Sequence, residues 1–427
     1  MKVLKVYIET YGCWLSKGES NISRTIIEEN GGSLVDSIFE ADVVVIHTCA
    51  VRGDTERKMI SRIRELADIC KAGNKKLVIT GCLVNVRPAT ISRIAPIASL
   101  VEPGYLDEIW KVIMSPEKKI IVRKYEWRRC RFPAYKKGIC YIAPIQSGCL
   151  GNCAFCIEPI ARGRLHSYPP DIIIEEIFKA VRKGAKEIYL TGQDVICYGL
   201  DRNTTLPELI EKILRKVEGE YFIRIGMLEP SLTANFIDEL IDVMKDERIY
   251  KYLHLPLQAG SDKILKLMNR KYSVEEYICL VEKIRKNIPA ITIATDIIVG
   301  FPGETEDDFK RTVAVLKKVK PDKTHIARYT IRPFTAAANM KQVPESVKKR
   351  RSKILSEIAA RIAYERNLRH LGKIEKVLIN SIGHDSCFMG RTFNYKPVII
   401  PVKPRLEIGY IGFFKIQSVT PIYLKAL

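Results

Sequence analysis

Apolar positions in the first hundred residues come as short unbroken runs. Lys5-Val6-Tyr7-Ile8, Val43-Val44-Val45-Ile46 and Lys76-Leu77-Val78-Ile79 are β-rich, and the stretches between them, about Glu19 to Glu29 and about Asp54 to Cys70, read as helices. Gly31-Gly32 and Gly73-Asn74 stop those helices. Continuous apolar strands separated by helices predict an α/β unit, a doubly wound parallel sheet covered on both faces.

From about Gly138 the pattern is strand then helix, six times. The predicted strands are approximately Tyr141–Gln146, Glu187–Thr191, Tyr221–Gly226, Tyr252–Leu255, Ile291–Val299 and Lys323–Thr330. Thr305 with Asp308 reads as a capping box opening one of the helices. Six βα units in series predict a partial (βα)6 TIM-type barrel, with its chemistry at the carboxyl ends of the strands. Lys348-Lys349-Arg350-Arg351 opens a long helix to about Leu368, and after Gly372 only β-rich runs remain: Lys376–Asn380, Cys387–Thr392, Val398–Val402 and Phe413–Val419. These predict a small β-barrel. The expected division is residues 1–117, a linker over 118–137, the central barrel over 138–368 and the end barrel over 369–427.

Charge adds a partner to this picture. The formal net charge is +21, which favours a polyanion, nucleic acid first. The linker from Lys118 to Lys137 holds nine Lys or Arg and one acid, with Tyr125, Trp127, Phe132 and Tyr135 interleaved. Such a stretch either stacks unpaired bases or is a solvated linker whose aromatics pack on a neighbouring domain. The end barrel adds eight basic residues against three acids from Leu371 onward. No apolar run is long enough for a membrane span and the start lacks a secretory pattern, so a cytoplasmic chain with no membrane partner is expected. Its twelve cysteines then read as metal ligands and buried thiols, not disulfides.

The cysteines carry the chemistry. Cys149, Cys153 and Cys156 are spaced C-x3-C-x2-C just after the first barrel strand. Three thiolates hold three corners of an iron–sulfur cube and leave one iron open to a ligand. A zinc site is the alternative and needs a fourth ligand; His166 lies ten residues on, without paired spacing. Cys13, Cys49 and Cys82 each fall just past the end of a predicted strand, the edge that forms the crevice of an open parallel sheet. On position alone they either converge or are three unrelated thiols; Cys70, near a helix end, is the rival for the third place. Polar groups also recur at the barrel's strand ends: Thr191 to Asp194, Glu229, Gln258 with Ser261, Glu304 and Arg328. Each alone reads as a turn or cap, and together they suit a polar ligand.

The triad spacing resembles the signature of the radical S-adenosylmethionine (SAM) enzymes. With Ala161-Arg162-Gly163-Arg164 downstream it resembles their methylthiotransferase branch, as do Tyr11-Gly12-Cys13, His47-Thr48-Cys49-Ala50-Val51 and Thr80-Gly81-Cys82. Leu190 to Asp194, Arg224 to Met227, His254 to Ser261, Met268 to Tyr272 and Thr295 to Thr305 resemble that family's barrel motifs, with Ala259 where the family commonly has Ser. The resemblance implies two [4Fe-4S] clusters, one on Cys13, Cys49 and Cys82 and one on Cys149, Cys153 and Cys156. It implies SAM contacts at Gly192, Gln193, Glu229, Gln258 and Ser261, and no general acid or base. The end barrel resembles a TRAM domain in size and position. Leu165 to Pro170, Ile291 to Asp296 and Met340 to Glu345 look most like the archaeal and eukaryotic branch. That branch implies conversion of N6-threonylcarbamoyladenosine (t6A) at position 37 of tRNA to its 2-methylthio derivative, using two SAM molecules and an external electron donor. The alternatives are isopentenyladenosine tRNA or a small-subunit ribosomal protein as substrate, and an iron–sulfur RNA-binding regulator without catalysis.

Overall fold

The computed structural model describes residues 3–51, 53–125, 131–383, 387–403 and 405–426. Its first sheet has six parallel strands: β1 (Lys5–Thr10), β2 (Ser33–Val35), β3 (Val43–Thr48), β4 (Lys76–Gly81), β5 (Ser99–Val101) and β6 (Ile120–Ile121), in the order β2-β1-β3-β4-β5-β6. Every residue of β3 is buried, which is why its apolar run is unbroken: it lies mid-sheet with both faces covered. Helix α1 (Trp14–Glu29) starts five residues before its predicted start at Glu19. It accommodates Gly18 because it packs on the central sheet; a Cβ there would sit 2.8 Å from Pro144 Cγ and 3.2 Å from Ile142 Cγ2. Helix α2 (Gly53–Ala72) follows β3, and the short α3 (Cys82–Val86) follows β4 directly. Gly81 makes that junction at φ 95°, where a Cβ would meet Thr48 O at 2.4 Å.

The central unit has β7 (Cys140–Pro144), the two-residue strands β8 (Gln146–Ser147) and β9 (His166–Ser167) framing the cysteine loop, then β10 (Glu187–Thr191), β11 (Phe222–Ile225), β12 (Tyr252–His254), β13 (Thr292–Val299) and β14 (Lys323–Arg328). Its six long strands are parallel, in two groups, β11-β10-β7 and β12-β13-β14. Isolated bridges from Ile223 to Ile249 and from Met227 to His254 join the groups. This is the partial six-stranded barrel that the sequence predicts. Helix α4 (Glu158–Arg162) leaves the cysteine loop, and α5 (Glu345–Asn367) is the long basic helix. The capping box is present: Asp308 N donates to Thr305 Oγ1 at 3.2 Å and Thr305 N to Asp308 Oδ2 at 2.9 Å.

The end of the chain closes into a barrel of β15 (Ile374–Ile382), β16 (Cys387–Thr392), β17 (Pro397–Pro401), β18 (Ile411–Val419) and β19 (Leu424–Ala426), ordered β15-β16-β17-β19-β18. The sequence predicts four of these strands; β19, three residues long, completes the ring. No helix of the described residues is long and apolar enough to cross a membrane.

Two of the aromatics in the basic stretch are core residues. Phe132 and Tyr135 are buried against Tyr168 and Tyr141, with ring centroids 5.2 and 6.4 Å apart. They therefore present no face for a base. Tyr125 is exposed, with its hydroxyl donating to Ile160 O at 2.8 Å. Trp127 lies outside the described residues, as does Cys130.

Asp322 ties the end barrel to the central one. Its buried carboxylate accepts from Arg366 Nε at 2.9 Å and from Lys396 Nζ at 3.0 Å. Burial alone would raise its pKa, but Lys396 and Arg366 hold it down to about 2. A depressed carboxyl pKa adds stability that is complete above the unfolded value, near 3.8, and is lost as pH falls towards about 2. The docked end barrel is accordingly expected to loosen in that window, seen as new proteolytic cleavage around Leu371. Asp322→Asn strands the buried Lys396 and the partly buried Arg366 and is expected to give the same cleavage at neutral pH; a neutral-pH digest identical to the parent's refutes this.

Candidate active site between two cysteine triads

The central triad sits on the loop between β8 and α4. Gly148 opens the loop at φ 76°, where any Cβ would collide with Arg164 O at 2.0 Å. Gly151 sits between two thiols; a Cβ there would lie 3.3 Å from Cys149 Sγ and 3.9 Å from Cys153 Sγ. The loop is pinned from outside, by Ala154 N donating to Met268 O at 3.0 Å and Asn269 Nδ2 to Asn152 O at 2.7 Å. Burial pushes the Cys156 thiol well up and raises Cys153, where the Arg270 guanidinium opposes it. Arg270 Nη1 donates to Cys153 Sγ at 3.2 Å, and Nη2 pairs with Glu229 at 2.9 Å. A further thiol lies alongside: a hydrogen bond with Cys197 lowers the Cys149 pKa, and Cys197 Sγ donates to Asp194 Oδ2 at 3.0 Å. Burial pushes Asp194 up to about 6.

The second triad lies where the first sheet predicts it, on the loops past β1, β3 and β4. Burial pushes Cys49 up to about 11, with Cys13 adding to the rise, and pushes Cys82 well above the ordinary thiol range. A Cβ at Gly12 would meet Cys49 Cβ at 3.3 Å, so the first two loops touch. Cys49 and Cys13 both act on Cys82 as well. Cys70, the rival, is buried inside α2 among apolar neighbours.

One short helix joins the triads. Arg162, on α4 of the central unit, donates from Nε to Cys82 Sγ at 3.2 Å and pairs through Nη1 with Glu19 of α1. Both side chains are buried, at 0% and 1% exposure. Asn85 Nδ2 donates to Ala161 O at 3.1 Å across the same contact. Glu158, on the first turn of α4, is partly buried, and burial raises its pKa. Its charge acts on Cys49 and Cys82 on one side and on Cys149 and Cys156 on the other.

Among the described residues neither triad brings three sulfurs within 4.8 Å of one another. Tetrahedral Zn–S bonds of about 2.3 Å would hold them about 3.8 Å apart. Buried polar atoms without partners mark the same region: Ser147 Oγ, Gln193 Oε1, Gln258 Oε1 and Arg162 Nη2.

The other expected residues divide. Gly192 approaches Gln146 so closely that a Cβ would lie 2.6 Å from its Cγ. Gln193 hydrogen-bonds Glu158, and Glu229 pairs with Arg270. Gln258 adopts φ 68° at the end of the following strand. Ser261 donates its hydroxyl to Asp308 Oδ1 at 2.7 Å. Glu304 and Arg328 are clamps for α5, paired with Arg351 at 2.6 Å and Glu345 at 2.5 Å. Arg162, Arg270, Glu158 and Cys197 were not singled out by sequence reasoning, although two of them stand in quoted motifs. The cue for Arg162 is a cationic residue in an apolar and glycine-containing stretch just after three thiols; Arg270 carries no such local cue.

Comparison with known proteins follows the same division. Residues 143–316 match the model of the Radical SAM superfamily, and residues 5–102 that of Uncharacterized protein family UPF0004. A Pyrococcus horikoshii protein named probable threonylcarbamoyladenosine tRNA methylthiotransferase is 41% identical over 93% of this chain and 94% of its own length. An Acetivibrio thermocellus protein named tRNA-2-methylthio-N(6)-dimethylallyladenosine synthase is 37% identical over 97% of this chain and 89% of its own. Among solved structures, a radical S-adenosylmethionine methyltransferase from Kitasatospora setae shares the fold, with TM-score 0.60 and 15% identity over 79% of this chain and 77% of that one.

Proposed function

This chain belongs to the methylthiotransferase family of radical SAM enzymes, and from that premise we propose that it adds a methylthio group to C2 of t6A at position 37 of tRNA. The observation that carries the reading is α4, whose Glu158 acts on thiols of both cysteine triads while its buried Arg162 bonds Cys82. Cys149, Cys153 and Cys156 would hold one [4Fe-4S] cluster, and Cys13, Cys49 and Cys82 the other. Gly192, Gln193, Glu229, Gln258 and Ser261 are the candidate SAM contacts, and the unpartnered amide oxygens of Gln193 and Gln258 suit a polar ligand. When bound, these groups supply reductive cleavage of SAM and a methylated sulfur, which an unactivated C2–H bond needs and no acid or base provides.

The chain's own residues position and enclose. Arg270 fixes Cys153 and Glu229 relative to each other, and Arg162 fixes Cys82 against α4. Phe155, Phe301 and Tyr329 form an aromatic row beside the cysteine loop, with centroid spacings of 6.4 and 5.4 Å, that keeps water from that side. Basic residues of the 118–137 stretch and of the end barrel suit the phosphates of an anticodon loop, where bases can be splayed out. The names carried by the archaeal relatives favour the threonylcarbamoyl substrate.

The test is anaerobic reconstitution with iron and sulfide, then mass spectrometry of nucleosides from tRNA incubated with SAM and a reductant. One methylthio group should appear on t6A and none on isopentenyladenosine. A gain only on the isopentenyl nucleoside moves the substrate, and SAM cleavage with neither RNA changed refutes a tRNA substrate.

A further inference from the structure

Below the mouth of the central barrel, inward-facing residues form a chamber with more cations than anions. Arg224 comes from β11, Lys323 and His325 from β14, and Arg391 reaches in from β16 of the end barrel; Arg391 and Arg224 both act on Lys323. Arg224 is 9% exposed. Its guanidinium lies 5.5, 5.2 and 5.5 Å from the rings of Tyr189, Tyr252 and Tyr395. Arg224 Nε and Arg391 Nε are buried without hydrogen-bond partners.

The two nearby acids spend their hydrogen bonds on other groups, although Asp296 still acts on Lys323 and Glu187 on Arg391. Asp296 bonds His254 at 3.0 Å, and Glu187 accepts from Tyr250 at 2.6 Å and Tyr189 at 3.3 Å. Among the described residues neither acid forms an ion pair with Arg224, Lys323 or Arg391. A buried guanidinium without a counter-ion is costly, so the chamber is built for an anion. His254, Asp296 and His325 do bring three ligand atoms within 4.8 Å, but Arg224 and Lys323 beside them repel a divalent cation. Lys323 pairs with Ala294, three residues below Ile297, which bridges Gln258 at the rim. At about 3.3 Å per residue the cations sit roughly 10 Å beneath the mouth.

We propose that this chamber binds the carboxylate on the N6 side chain of the target adenosine, so that Arg224 and Lys323 select threonylcarbamoyl over uncharged N6 groups. The proposal rests on the t6A reading above. An adenine held with C2 towards the mouth can extend its N6 arm down the lumen.

The experiment uses the reconstituted holoenzyme and three anticodon stem-loop RNAs carrying t6A, its carboxyl methyl ester, or isopentenyladenosine. Binding is read by fluorescence anisotropy and methylthiolation by mass spectrometry. The parent enzyme should bind the acid about tenfold or more tighter than the ester. Lys323→Met and Arg224→Gln should each lose that preference with ester binding unchanged, and Arg224→Lys should keep part of it. Lys323, more exposed than Arg224, carries the test if Arg224→Gln does not fold. Equal binding of acid and ester by a parent that still methylthiolates t6A overturns the proposal and leaves the function standing; no methylthiolation of either t6A RNA overturns both. A Mn2+ paramagnetic signal lost in His325→Ala overturns it in favour of a cation site.

Discussion

Arg162→Met is expected to melt far below the parent protein and to load only about half of its iron. The side chain is 0% exposed and neutralises Glu19, itself 1% exposed, while its Nε donates to Cys82. Glu158, on the same helix, also depends on this cation. Removing one member of a buried charge cluster leaves the others desolvated and unpaired, at a cost of roughly 3–5 kcal/mol. Methionine fills the volume of the stem, so the loss isolates charge from packing. Arg162→Lys keeps the charge but cannot address a sulfur and a carboxylate with one planar fork, and an intermediate melting temperature is expected. The checks are differential scanning calorimetry of the reconstituted protein and colorimetric iron. A parent-like melting temperature with full iron would show that α4 does not hold the second triad together.

Cys82→Ala and Cys153→Ala are expected to fail in different ways. Both should reduce methylthiolated nucleoside to background. Cys153→Ala breaks the triad at the barrel mouth and should also abolish SAM cleavage. Cys82→Ala, on the far side of α4, should still cleave SAM, because nothing in the Cys149–Cys156 loop is held by Cys82 itself; the link between them runs through Arg162. Chromatography of SAM fragments beside the nucleoside analysis separates the two. The division of labour is falsified if Cys82→Ala yields the methylthio product or if Cys153→Ala goes on cleaving SAM.

Much of the architecture was legible because its signals are local. The unbroken run Val43 to Ile46 predicts a strand covered on both faces, and β3 is one. Thr305 and Asp308 predict a capping box that forms with both bonds. The positions of Cys13, Cys49 and Cys82 after strands predict convergence, since parallel strands deliver their following loops to one edge. Where the reading fell short, a distant contact decided. Helix α1 begins at Trp14, ahead of the predicted Glu19, and at its Gly18 Pro144 and Ile142 approach the backbone closely. Leu424 to Ala426 is too short to be predicted as a strand, and becomes one only because β17 and β18 offer two edges. Phe132 and Tyr135 sit among lysines and arginines like stacking residues, and are buried by Tyr168 and Tyr141.

The sequence by itself determined the periodicities, the C-x3-C-x2-C triad, the placing of three more thiols after strands and the basic surplus, since each is read from local pattern or from composition. Only the tertiary structure decided which charges are paired. Arg162 meets a carboxylate 143 residues away, whereas Arg224 meets three tyrosine rings and, among the described residues, pairs with no carboxylate. Burial strengthens every electrostatic interaction by removing water's screening, and burial depends on which elements pack together, whatever their separation along the chain.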